Sequence, residues 1–122
     1  MNADFSKKLG EIIAKDSRYK PDAYEFVLHA LWFTQKKLKR TGHVSGKELL
    51  GGARDFGLEQ YGPMAKTVFS HWGVVTTSDF GEIVFNMVES GLMSKTDNDT
   101  REEFKDVFNF DEELDVFKVK DR

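Results

Sequence analysis

The chain has 122 residues, with 18 Lys plus Arg against 21 Asp plus Glu, a formal charge of −3, two prolines and no cysteine. The absence of cysteine excludes a disulfide-stapled secreted scaffold, and the scarcity of Pro excludes collagen-like and low-complexity chains. Eleven Phe, three Tyr and two Trp supply enough bulky apolar surface for one packed core, which argues against disorder.

Met1 to Gly10 is polar and lacks the apolar run of about 7–15 residues that a secretory signal needs. The longest apolar stretches, Ala30 to Phe33 and Ile83 to Phe85, fall far short of the roughly 20 residues that cross a bilayer. A cytoplasmic protein with no membrane partner is expected.

Helical spacing dominates the chain. Phe5, Leu9, Ile12 and Ile13 mark one face of a first helix. Pro21 suits the start of a second, where its missing N–H costs nothing. Tyr24, Val27, Leu28, Leu31 and Trp32 predict that helix's inner face, and Lys36, Lys37, Lys39, Arg40 and Gly42 supply stop signals. Ser45 with Glu48 spells a capping box for a third helix, 45–61, with Leu49, Ala53 and Phe56 inward. Gly51, Gly52 and Gly57 lower its propensity by about 1 kcal/mol each relative to alanine. Either a neighbouring helix approaches closely there or the helix is weak.

A short fourth helix, 63–72, follows Gly62-Pro63 and ends at Gly73. Val74 to Thr77 reads as an extended connector. A fifth helix, 78–90, capped by Ser78 or Asp79, carries Phe80, Ile83, Val84, Met87 and Val88 inward and leaves Phe85 opposite that face. Leu92 to Thr96 reads as a strand and Asp97 to Asp99 as a turn. Phe104, Phe108 and Phe110 alternate as in a strand, yet Thr100 to Glu103 is also a capping box, and periodicity does not arbitrate between the two.

The expected fold is therefore mainly α, about five helices in one domain with a small C-terminal β element. Residues 1–44 form an N-terminal layer, 45–110 a helix-turn-helix-like part in winged-helix order, and 111–122 a charged tail.

The stretches PDAYEFVLHAL, TQKKL, HVSGKELL, LEQYGPMAKTV, DFGEIVFNMVESGLMSKT and DTREEF resemble a family of small uncharacterised bacterial proteins. The resemblance runs from about Tyr19 to Phe110 and is most distinctive from Asp79 to Leu92. It implies a bacterial cytoplasmic protein and brings no activity, ligand or functional residue with it.

Chemistry is sparse. Asp22, Glu25 and His29 share a helical face, but one helix offers a metal too few ligands. Asp79-Phe80-Gly81 has the spelling of a kinase magnesium motif without the rest of that machinery, and reads as a helix start. No phosphate-binding glycine loop is present, and Ser70 and His71, adjacent on a helix, splay apart. No catalytic residue, metal or cofactor is expected.

Charge is more informative. Residues 1–47 carry net +5, residues 48–96 net −3 and residues 97–122 net −5. The expected role is a non-catalytic protein-interaction or regulatory module, docking a protein partner or a second copy through Phe85, Phe108 and Phe110. The alternative is nucleic-acid binding, with Lys36, Lys37, Lys39, Arg40 and His43 contacting phosphates. Against it, the fifth helix, which would enter the groove, holds Asp79, Glu82 and Glu89 and no Lys or Arg between Ser78 and Ser90.

Overall fold

Each of the five expected helices forms, and each is bounded by a local signal. The computed structural model describes residues 3–94 and 100–115. Helix α1 spans Ala3–Lys15 and α2 Pro21–Leu38, the latter with its proline in the first turn. Helix α2 stops four residues before Gly42, because Lys39 itself adopts the left-handed conformation at φ 56° and its N–H bonds back to the helix carbonyls.

Helix α3 covers Gly46–Tyr61, opened by the expected box: the Glu48 N–H donates to Ser45 Oγ at 3.1 Å, and the Ser45 N–H to Glu48 Oε1 at 2.8 Å. A 3-10 turn, Gly62–Met64, leads into α4, Ala65–His71. Helix α5 is Thr77–Ser90. Its cap is Thr76, two residues before Ser78 and three before Asp79, because Asp79 sits at the third helical position and accepts from the N–H groups of Val75 and Thr76. Gly91 ends α5 at φ 85°.

One cluster of buried side chains runs from Leu9 to Leu114. Phe26 on α2 is its aromatic centre, with ring centroids 5.4 Å from Phe56, 5.0 Å from Phe69 and 5.4 Å from Trp72. Two glycines of α3 answer the either-or raised by its composition. A Cβ on Gly52 would lie 1.7 Å from Thr34 Oγ1 of α2, and one on Gly57 would lie 2.5 Å from the Phe69 ring. Gly51 has nothing within 4 Å. Two of the three are therefore close-approach positions, and the third is a weak point in the helix.

The β element and the winged-helix likeness are not upheld. Among the described residues there is no strand. Leu92 to Ser94 turn off the end of α5, while 95–99, the rest of the expected hairpin, lie outside the described residues. From Thr100 the chain uses its capping box and makes a single 3-10 turn, Arg101–Phe104. Phe104 drops into a slot floored by two glycines, where a Cβ on Gly46 would meet its ring at 3.1 Å and one on Gly81 its Cβ at 2.7 Å. The Val107 N–H donates to Thr77 Oγ1 at 3.1 Å, so this segment is held by side chains instead of a partner strand.

Residues 111–115 of the expected charged tail are packed on the domain. A last helical turn, α6, covers Phe110–Glu113, and Leu114 is 1% exposed in the core. Lys66 pairs with Asp111, and Arg54 lies 3.8 Å from Glu113. Residues 116–122 lie outside the described residues.

Candidate functional site

The three phenylalanines expected to dock a partner are turned into the molecule. Phe85 is 7% exposed and is covered in part by the 100–104 segment. Its ring meets Phe104 edge-on at 6.2 Å, and the Arg101 guanidinium lies 4.9 Å from its centroid. Phe110 is buried against Phe69 and Phe80, and Phe108 is half-buried under Arg54. Helix α5 buries Phe80, Gly81, Ile83, Val84, Phe85 and Met87, so its inner face is wider than periodicity predicts and takes in Phe85.

The basic patch is partly neutralised within the chain. Lys37 Nζ lies 2.7 Å from Asp55 Oδ2, and Arg40 Nη1 lies 2.7 Å from Glu48 Oε1. Lys39 is taken up as the helix cap, and His43 is exposed at the edge of an apolar cleft. Lys36 alone of the five stands over an aromatic ring at close range, its Nζ 4.3 Å from the Trp32 centroid.

Trp32 itself departs from the expected inner face. It is 61% exposed, the largest side chain that the described residues leave open to solvent. The inward stripe of α2 runs instead through Ala23, Tyr24, Phe26, Val27, Ala30 and Thr34. Beside Trp32 an open groove of about 700 Å³ runs between α2 and α3, lined by His29, Phe33, Lys36, Phe56 and Glu59. The signal that could have found it is in the sequence: Phe26 and Trp32 cannot both face inward, and Trp32 is the one flanked by polar residues at helical spacing, His29 and Lys36.

A second recess, about 400 Å³, lies on the other flank of α2, between Leu31, Val44, Leu49, Val88 and Phe104. Among the described residues, no Asp, Glu, Lys or Arg lines it. A third feature is polar. Arg18 grips Asp16 with Nε at 2.9 Å and Nη2 at 2.7 Å, and the Asn86 amide donates to Asp16 Oδ2 at 2.9 Å and to Tyr24 Oη at 3.0 Å. The paired guanidinium holds the Asp16 carboxyl well below the usual carboxylate range, and burial pushes the Tyr24 phenol up. Tyr19 donates to Asp79 Oδ1 at 2.6 Å, and its phenol is raised by burial and by that bond. These groups bind one another and lock α1, α2 and α5 together.

Asp22, Glu25 and His29 are exposed on α2 as expected, and among the described residues no group of three His, Asp or Glu side chains could hold a metal ion. Ser70 and His71 are both exposed on α4. Asp79 and Phe80 act as a helix cap and a core residue. No described helix is long and apolar enough to cross a membrane.

No family model, curated protein or solved structure matches the chain.

Proposed function

We propose that this chain is a non-catalytic protein-interaction module of the bacterial cytoplasm, and that its docking face is the outer side of α2 around Trp32. The observation that carries this reading is the 61% exposed indole. Burying so large a ring is worth several kcal/mol in apolar transfer and packing, and Trp is among the residue types that dominate interface energetics. The groove between α2 and α3 gives an incoming side chain a place beside it, and Lys36 and His29 give the rim polarity. The cysteine-free composition and the family resemblance support the cytoplasmic setting.

Nucleic-acid binding is the second reading, favoured by the aromatic ring beside Lys36, a pairing that also stacks bases. It is weakened by the ion pairs that already occupy Lys37 and Arg40. The test is capture from the producing cell with tagged chain, wild type against Trp32→Ala, with and without nuclease. The expected result is a protein, identified by mass spectrometry and rebound as a purified component, that survives nuclease and is lost with Trp32→Ala. Retained nucleic acid that falls away steeply with added salt and is lost on Lys36→Glu would overturn the reading in favour of the second.

A further inference from the structure

Six exposed side chains follow one another along α2 and its cap: Asp22, Glu25, His29, Trp32, Lys36 and Lys39. Their spacing alternates three and four residues, the repeat that keeps side chains on one straight seam facing a neighbouring helix. From the N-terminal end the seam reads acid, acid, imidazole, indole, cation, cation. Turned end over end, that order is its own complement.

We propose that this seam is a homodimer face, with α2 packed against α2 of a second copy in antiparallel fashion about a two-fold axis midway between His29 and Trp32. The proposal rests on the reading of the Trp32 face as a protein-docking face and names its occupant. One register satisfies every position: Asp22 faces Lys39 of the second copy, Glu25 faces Lys36, and His29 faces Trp32. A two-fold contact makes each pair twice, as a self-complementary patch requires. The parallel arrangement sets acid on acid and cation on cation, so charge selects the antiparallel one. The two helix macrodipoles also oppose each other in that arrangement, and each basic C-terminal end meets an acidic N-terminal one.

A local explanation covers part of this pattern. Asp22 in the first turn and Lys36 in the last turn each suit the helix's own dipole. That explanation leaves the indole at the centre of the seam without a reason to be there. A second copy supplies one, since the ring is then covered while Lys36, already 4.3 Å from its centroid, is placed to meet Glu25 across the axis. Lys37 lies off the seam and keeps its bond to Asp55.

The contact is short. From Asp22 to Lys39 the helix rises about 25 Å, which puts the buried area at the low end of interface sizes, under about 1,200 Å². A dimer that forms and dissociates with concentration is expected.

Sedimentation velocity of the full chain over a concentration series tests this. The wild type should rise from 14.0 kDa toward twice that mass. Glu25→Lys and Lys36→Glu should each weaken the dimer about tenfold or more by setting like charges opposite each other, and Trp32→Ala should abolish it. The double variant Glu25→Lys/Lys36→Glu should recover wild-type dimerisation, and an equimolar mixture of the two single variants should form a heterodimer that neither forms alone. All these positions are exposed, so each variant should still unfold cooperatively, with only a small loss in melting temperature from the helix dipole and the lost association. A wild type that stays monomeric at every concentration overturns the proposal, while the docking reading is judged separately by the capture experiment. A dimer indifferent to both charge reversals also overturns it.

Discussion

Asp16 stands just past the end of α1 and collects four donors: the Arg18 backbone N–H, two guanidinium nitrogens of Arg18, and the Asn86 amide. The Arg18 side chain does most to hold its carboxyl below the ordinary range, with Asn86 adding to the effect and partial burial opposing it. A carboxylate whose folded pKa is depressed binds fewer protons folded than unfolded as pH falls through its unfolded value, about 3.9. Its stabilisation is therefore complete above that value and drains away as pH drops toward the folded pKa. Asp16→Asn should lower the melting temperature at neutral pH, and the gap from wild type should narrow once pH falls below about 4. Paired thermal scans across that range are the check, and a gap that does not change with pH would show that the charge contributes nothing.

At the level of the helix, neighbouring glycines of α3 should respond in opposite senses. Gly51→Ala meets open space, so it should stabilise by about 1 kcal/mol through helix propensity alone. Gly52→Ala drives a methyl into the Thr34 hydroxyl, whose own bond to the Ala30 carbonyl at 2.7 Å fixes it in place. Overpacking of this kind costs about 1–3 kcal/mol, and urea denaturation of the two variants should move their midpoints to either side of the wild type.

Helix existence was legible because apolar spacing, Pro21, the Ser45 box and Gly91 are local signals that the folded chain uses as written. Which side of each helix lies inward was less so. Periodicity placed Trp32 inside and Phe85 outside, and both are reversed, because α2 has more large apolar residues than inward positions and the 100–104 segment covers the side of α5 that holds Phe85. The alternating phenylalanines 104, 108 and 110 imitated a strand. Phe104 instead enters the core from a 3-10 turn, in a slot set by the glycines at 46 and 81, which are remote in sequence, while Phe110 enters from α6 and Phe108 stays half-buried. The docking face around Trp32 was only hinted at by its polar neighbours His29 and Lys36, because exposure is decided by the other helices.

Across the whole molecule, residues 111–115 are integrated where a loose appendage was expected. Phe110 and Leu114 join the core that begins with Leu9 on α1, and the bridges from Lys66 and Arg54 fasten the intervening acidic turn to the helices beneath it. Leu114→Ala should cost about 2–5 kcal/mol, as for any fully enclosed leucine, and not the near-zero value of a solvated tail. Calorimetry would separate the two outcomes.

The chain's two indoles occupy opposite surroundings, Trp32 at 61% exposed and Trp72 at 6%. One protein thus carries two built-in fluorophores, the first reachable by an aqueous quencher such as iodide and the second shielded until the chain unfolds. Shielding of the accessible emission without loss of the protected one would report occupancy of the outer face in real time, with no label attached.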